Sequence, residues 1–267
     1  MLLRGSLVRA ARSSPTAAMA AAAAAVGRPL SGTTTDKPVT AQDFAQYDAQ
    51  LRGDAEFQRV LARYSAPASE ESVARAVQAL KAKKHDVHVV DTKEQALSVI
   101  DSLLKPNATY SSGGSTTATE LDVASLLKRR ADVKNLKGLA IEAAAKGDSA
   151  KQQRLLREGA CADVFLSSVS ALTEDGEFFA ADLSGTRIHG WLASGRLVLV
   201  AGTNKIVRDA TAADLRLFEY QWKLESARAR YAFGVPGSAV VNKIAVRQAN
   251  PMGPRTSVVL VKKSLGF

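Results

Sequence analysis

At 267 residues and 46% hydrophobic content, the chain can hold one large α/β domain or two small ones with a full core. Its formal charge is +10, it has no run of about 18 apolar residues that could span a membrane as a helix, and its one cysteine, Cys161, excludes an internal disulfide framework and a cysteine-based metal cluster. A lone cysteine between two alanines reads as packing, and His85, His88 and His189 are too few and too scattered for a metal centre.

Residues 1–35 form a compositional unit of their own, rich in Ala and Ser. They contain Arg4, Arg9, Arg12 and Arg28, with no Asp or Glu before Asp36. That is the composition of an organellar transit peptide, here of the mitochondrial matrix type, and Arg28-Pro29-Leu30-Ser31 predicts processing near Leu30; a plain tail is the alternative. Residues 36–64 are expected to form an N-terminal helical segment, and residues 65–267 one domain. The remaining basic clusters, Lys81 with Lys83 and Lys84, and Lys128 with Arg129 and Arg130, fall at predicted helix ends where cations suit the dipole. No aromatic residues are interleaved with them as a stacking platform requires, so nucleic acid is not an expected partner.

In chain order, residues 41–64 have helical spacing through Phe44, Tyr47, Leu51, Phe57, Val60 and Leu61, interrupted near Gly53. After Pro67, residues 70–83 predict an amphipathic helix with Val73, Val77 and Leu80 on one face. The pattern then alternates: strand 87–90, helix 93–104, strand 108–111, helix 117–128. Thr92 with Gln95 and Thr117 with Glu120 match capping boxes. His85 and His88 are expected on opposite faces of the first strand, structural or solvated. Residues 132–158 read as charged, Ala-rich helix with breaks at Gly138 and Gly147. Strand 163–166, a turn at Glu174-Asp175-Gly176, strand 178–181, a turn at Ser184-Gly185 and strand-like residues 187–192 suggest an antiparallel meander. Leu197 to Ala201 lack any polar alternation and read as a strand covered on both faces. A helix over 212–230, an irregular stretch through Pro236, Pro251 and Pro254, and a strand over 256–261 complete the chain. Strands alternating with short helices predict an α/β fold with a wound, mainly parallel sheet.

Two loops carry chemistry. Ser111-Ser112-Gly113-Gly114-Ser115-Thr116 lies between a strand and a helix, where backbone N–H groups and the helix dipole favour anions; a structural Gly-Gly turn with hydroxyl caps is the competing reading. Gly202-Thr203-Asn204-Lys205 follows the apolar strand and offers a hydroxyl, an amide and a cation, or else is a turn with a solvated lysine. Leu172-Thr173-Glu174-Asp175-Gly176 and Asp182-Leu183-Ser184-Gly185-Thr186-Arg187 read first as turns and secondarily as walls of a cleft, with Arg187 able to clamp a carboxylate. Neither a Ser/His/acid triad nor metal-ligand spacing is present.

Taken together, ALTEDGEFFAADLSGTRI (171–188), RLVLVAGTNKIV (196–207), VVLVKKSLGF (258–267) and the earlier SSGGST segment resemble the LUD domain, the LutC-like lactate-utilisation family. The resemblance implies a three-layer, mainly parallel sheet of the ribose-5-phosphate isomerase or CoA transferase-like type. It implies a small carboxylate or phosphate ligand bound by Gly113, Gly114, Ser115, Thr116, Asn204 and Lys205, with Ser170, Thr173, Glu174, Asp175, Gly185 and Arg187 as a secondary wall. Relatives carry Asn where this chain has Ser170 and Thr186, which changes hydrogen-bond geometry. No cysteine cluster occurs in 234–250, so this chain is expected to hold no cofactor of its own, and an iron-sulfur cluster or flavin would belong to partners. The implied role is lactate oxidation beside such partners. The alternative is a non-catalytic subunit or assembly factor of a mitochondrial complex, docking through residues 41–64. A sugar-phosphate isomerase or folate-processing enzyme of the same fold lacks an evident general base.

Overall fold

The structure, a computed structural model, describes residues 40–247 and 254–267; the predicted transit peptide and its cleavage point lie outside the described residues. Six parallel strands form the central sheet: β1 (Asp86–Val90), β2 (Thr109–Ser112), β3 (Lys134–Asn135), β4 (Val164–Ser167), β7 (Arg196–Gly202) and β10 (Thr256–Val261), in the order β1-β10-β7-β4-β2-β3. A second sheet, β8-β5-β6-β9, joins β5 (Ala171–Thr173), β6 (Phe178–Asp182), β8 (Ile206–Val207) and β9 (Asn242–Val246). In it only the β5–β8 pair is parallel.

The unbroken apolar run of β7 follows from its place in the middle of the sheet. Successive side chains point to opposite faces. Leu197, Leu199 and Ala201 enter one core, and Val198 and Val200 enter the other. The first core is closed by Val73, Ala76 and Leu80 of α4 (Glu70–Ala82), Trp191 of α10 (Thr186–Ala193) and the inner face of the second sheet. The second is closed by α5 (Lys93–Leu103), α6 (Thr116–Glu120) and α7 (Val123–Arg129). The architecture is therefore a three-layer α/β fold, with the small sheet lodged in one outer layer.

The N-terminal helices α1 (Ala41–Tyr47), α2 (Ala49–Gly53) and α3 (Ala55–Ser65) form a third core with Tyr220, Leu224, Ala227 and Phe267. Asp48 and Asp54 each cap the helix that follows, through Leu51 N and Phe57 N, so the break predicted near Gly53 is two capped joints. Between β3 and β4, α8 (Leu136–Ala145) and α9 (Ser149–Ala160) pack against each other. Gly147 breaks the chain between them at φ +76°, whereas Gly138 lies inside α8 and breaks nothing.

Several local expectations are corrected. The helix predicted over 117–128 is two helices, because Asp122 takes a left-handed conformation (φ 60°) and caps α7. Thr92 and Gln95 form the expected capping box, but Thr117 and Glu120 do not: Ser115 is the cap, receiving Ala118 N–H, and Glu120 receives Gly266 N–H. Residues 187–192 are helical, not a strand. The carboxylate of Asp182 accepts the N–H groups of Gly185, Arg187 and Ile188 (2.8, 3.0 and 3.2 Å) and nucleates α10. Residues 210–233 are α11 (Ala210–Arg216) and α12 (Trp222–Phe233), separated by a π-turn over Leu217–Gln221. The stretch expected to be irregular contains β9, paired with β6. Cys161 is exposed at the end of α9 instead of packed. His85 is buried and His88 pairs with Asp86 at 3.0 Å.

Candidate functional site

Four neighbouring strands, β10, β7, β4 and β2, each deliver one component to the C-terminal edge of the parallel sheet, where open α/β sheets place ligands. Lys205 follows β7, Ser168 follows β4, Thr117 follows β2, and the segment 262–267 follows β10. They meet at the ammonium of Lys205, which is 1% exposed. Its Nζ donates to Thr117 Oγ1 (3.0 Å), Ser168 Oγ (3.1 Å), the Val169 carbonyl (3.3 Å) and the Phe267 backbone oxygen (3.1 Å). Thr117 and Ser168 are also hydrogen-bonded to each other (3.1 Å). Among the described residues, no Asp or Glu side chain forms an ion pair with Lys205.

The electrostatics are those of an under-compensated cation. Burial pushes the Lys205 ammonium well below its usual range, the charges of Arg216 and Arg187 push the same way, and only Glu120 opposes them. Glu120 is itself raised by burial, although Gly266 N–H, Lys93 and Lys205 pull it down. Arg216 is wholly buried at the end of α11: Nη1 donates to the Ser170 carbonyl at 2.5 Å, while Nε and Nη2 have no hydrogen-bond partner in the structure. Burial brings its pKa down to about 10.

Asn204, 3% exposed, does not face an open cleft. Its Oδ1 accepts from Leu265 N (3.0 Å) and its Nδ2 donates to Gly266 O (3.2 Å). Gly202 is required by close approach and not by φ, which is an ordinary −71°. A Cβ there would lie 2.5 Å from Lys263 O and 2.6 Å from Leu265 N.

The other predicted residues fall into two groups. The Gly113-Gly114 turn meets Arg187: Gly114 O accepts from Arg187 Nη2 at 2.7 Å, and a Cβ on Gly113 would stand 3.4 Å from Arg187 Cβ. Arg187 also donates to Ala181 O, leaves Nε without a partner, and is lowered in pKa by burial, partly offset by Glu225 and Asp182. Gly185, at φ 79°, starts the helix that carries it. Ser115 caps α6 next to Thr116, one residue before Thr117. The wall at Ser170, Thr173, Glu174 and Asp175 is engaged elsewhere. Ser170 Oγ accepts from Ala181 N, and Thr173 Oγ1 donates to Asp175 and accepts Glu177 N–H. Glu174 is held by Arg75 (2.6 Å) and Ser72 (2.6 Å) of α4, with Arg75 lowering its pKa.

The sequence does not single out Ser168 or Arg216, and residues 265–267 figure in it only as part of the 258–267 resemblance, not as site residues. Arg216 had a signal: it shares a helical face with Ala213 and Tyr220, positions that are buried. Among the described residues, no group of three or more His, Cys, Asp or Glu side chains could hold a metal ion, and no helix is long and apolar enough to cross a membrane.

The family model described as the LUD domain matches residues 73–234, more than half of the chain. The crystal structure of a DUF162 family protein from Deinococcus radiodurans is similar over 73% of this chain and 99% of its own, at 14% identity and a TM-score of 0.41. A search of curated proteins finds no match.

Proposed function

The chain belongs to the LUD domain family, and on that footing we propose that it acts in organic-acid utilisation, with lactate metabolism as the family's general association and a small carboxylate or phosphate bound at Lys205. One observation carries this reading: Lys205 is buried among hydroxyls and carbonyls with no Asp or Glu ion-pair partner. A buried ammonium is costly unless it is paired, and no Asp or Glu side chain among the described residues is spent on it, so an anionic oxygen is the chemistry that this position favours.

In this reading Lys205 neutralises the anion, Asn204 orients it, and Thr117 and Ser168 donate hydroxyl hydrogen bonds. Arg187, seated on the Gly113-Gly114 turn, adds positive potential from the side. Oxidation of lactate to pyruvate releases two electrons and two protons. Iron-sulfur or flavin-containing partners would accept the electrons, and the acid-free, Arg-bearing residues 1–35 favour the mitochondrial matrix as the place.

A second reading, a non-catalytic subunit of a larger mitochondrial complex, is favoured by a groove of about 550 Å³ on the N-terminal helices, lined by Gln42, Ala45, Gln46, Arg52, Gln58 and Leu61. Thermal-shift titration with lactate, other 2-hydroxy acids, sugar phosphates and inorganic phosphate separates the two. The ligand reading expects stabilisation by at least one anion that disappears in Lys205→Met. Indifference to every anion would favour the subunit reading.

A further inference from the structure

Arg216, the last residue of α11, is 0% exposed and spends one nitrogen on the fold: Nη1 donates to the Ser170 carbonyl at 2.5 Å. Its other edge, Nε with Nη2, has no hydrogen-bond partner in the structure. Four other arginines show what that edge does in this protein. Arg75, Arg130, Arg228 and Arg230 each turn Nε and Nη2 onto one carboxylate, of Glu174, Asp132, Glu225 and Asp48 respectively, through paired bonds of 2.5–2.9 Å. Their side chains are 18–56% exposed. Arg216 presents the same planar fork in full burial, to none of the Asp or Glu side chains among the described residues.

Two further donors stand beside it. Arg216 Cζ lies 5.1 Å from the centre of the Tyr220 ring, and the rings of Tyr220 and Tyr64 of α3 are 5.6 Å apart. Both tyrosines are buried and neither hydroxyl has a hydrogen-bond partner. Native folds leave few buried polar groups unpartnered, because each is costly, and here three such side chains are neighbours. Tyr220 belongs to the π-turn over Leu217–Gln221, a rare backbone form that concentrates at functional sites.

The fork adjoins the lysine. Lys205 Nζ donates to the Val169 carbonyl, and Arg216 Nη1 to the carbonyl of the next residue, Ser170. Of the charges acting on Lys205, that of Arg216 is the largest. Among the described residues, neither cation has an Asp or Glu ion-pair partner. A single anionic group compensates one buried cation; an acid with two such groups compensates both. The guanidinium fork matches a carboxylate, whereas an ammonium is a point charge that takes a carboxylate or a phosphate oxygen.

We propose that Arg216, with the hydroxyls of Tyr64 and Tyr220, forms a second oxyanion subsite beside Lys205, and that the ligands of this protein are small acids with two anionic groups: a carboxylate for the fork and a carboxylate or phosphate for the ammonium. The inference rests on the reading of Lys205 as an anion site and adds the contact that selects among acids. Lactate has one carboxylate. Malate is lactate with a second carboxylate on its methyl carbon, and phosphoglycolate pairs a carboxylate with a phosphate.

The experiment is calorimetric titration of the full chain with sodium lactate, sodium malate and phosphoglycolate at fixed ionic strength, in wild type, Arg216→Met and Lys205→Met. Wild type should bind malate, phosphoglycolate or both at least about tenfold more tightly than lactate, the worth of one charge-assisted contact; which of the two binds tells whether Lys205 takes a carboxylate or a phosphate. Arg216→Met should erase that preference. Equal affinity for all three acids in wild type, as when ordered water alone partners the fork, or an undiminished preference in Arg216→Met, would overturn the subsite. If binding is then lost in Lys205→Met, the anion reading of Lys205 still stands. No binding of any acid to wild type would overturn both. The double variant Tyr64→Phe with Tyr220→Phe removes two hydroxyls and no charge, and it keeps the test available should Arg216→Met not fold. It should cut the preference at least about fivefold, and an unchanged preference would overturn the subsite.

Discussion

Replacing Arg216 with methionine tests the claim that this protein keeps a buried cation its fold does not need. The guanidinium is 0% exposed, and burial brings its pKa down from the usual arginine range to about 10. At about 1.4 kcal/mol per unit, that gap corresponds to roughly 3 kcal/mol of folding free energy lost by carrying the charge at neutral pH. The sign follows from proton binding: above pH 10 the unfolded chain binds more protons than the folded one, so the penalty is fully present below 10 and fades as pH rises toward the usual arginine range. Methionine removes that penalty and fills a similar length. It gives up the bond to Ser170 O, worth about 2 kcal/mol for a charged donor, and the contact of Cζ with the Tyr220 ring at 5.1 Å, worth about 1 kcal/mol. The two sides nearly cancel, so urea denaturation at pH 7 should place Arg216→Met within about 1 kcal/mol of wild type with an unchanged m value. Breaking a buried ion pair, in contrast, costs about 3–5 kcal/mol. A loss of that size would refute the argument, because it would mean that the guanidinium is fully compensated in the folded chain.

Two further substitutions probe the scaffold around the site. Glu174→Gln removes the carboxylate that joins the β5–β6 turn to Arg75 and Ser72. Because the Arg75 side chain is 56% exposed, solvent screening limits the cost to about 1 kcal/mol. The folded pKa of Glu174 lies below 4.5, so the stability difference between wild type and Glu174→Gln should be constant at neutral pH and vanish as pH falls below 4.5, as followed by denaturation at stepped pH. Asp182→Ala orphans three backbone N–H groups at the start of α10 and the Asn242 amide. It should cost about 2–4 kcal/mol, while Ser184→Ala, which loses only an exposed hydroxyl contact with Thr186, should stay within about 0.5 kcal/mol; thermal denaturation of both variants measures the contrast.

The central sheet was legible wherever a local pattern determines it. The run 197–201 is apolar on both faces because β7 has two cores to fill, and Thr92 with Gln95 caps α5 within four residues. What the pattern missed depends on partners remote in sequence. Residues 187–192 alternate like a strand, yet the carboxylate of Asp182 makes them a helix, and Gly190 lets that helix lie against the Phe165 ring, where a Cβ would fall 2.3 Å from Cε2. β9 exists only by pairing with β6 across sixty or more residues. At the site, Asn204 and Lys205 were visible as polar residues after an apolar strand, but nothing adjacent to them reveals burial. Burial comes from Thr117, Ser168 and Leu265–Phe267, each supplied by a different strand end. Glu174, equally polar and placed in a turn, went to α4 because Arg75 and Ser72 were there to receive its carboxylate, while the Asp175 carboxylate turned back to Thr173 within the turn.

A turn of this kind needs no buried lysine to fold. Four strand ends could meet around an apolar side chain, and the hydroxyls of Thr117 and Ser168 could bond to each other and to backbone, as they already do in part. Lys205 instead brings a charge into a space that Arg216 and Arg187 make more positive still. Among the described residues, the one acid whose charge favours the ammonium, Glu120, is drawn off by Gly266 N–H. Each of these features lowers stability by itself, and all are relieved by the same event, the arrival of negative charge at Nζ.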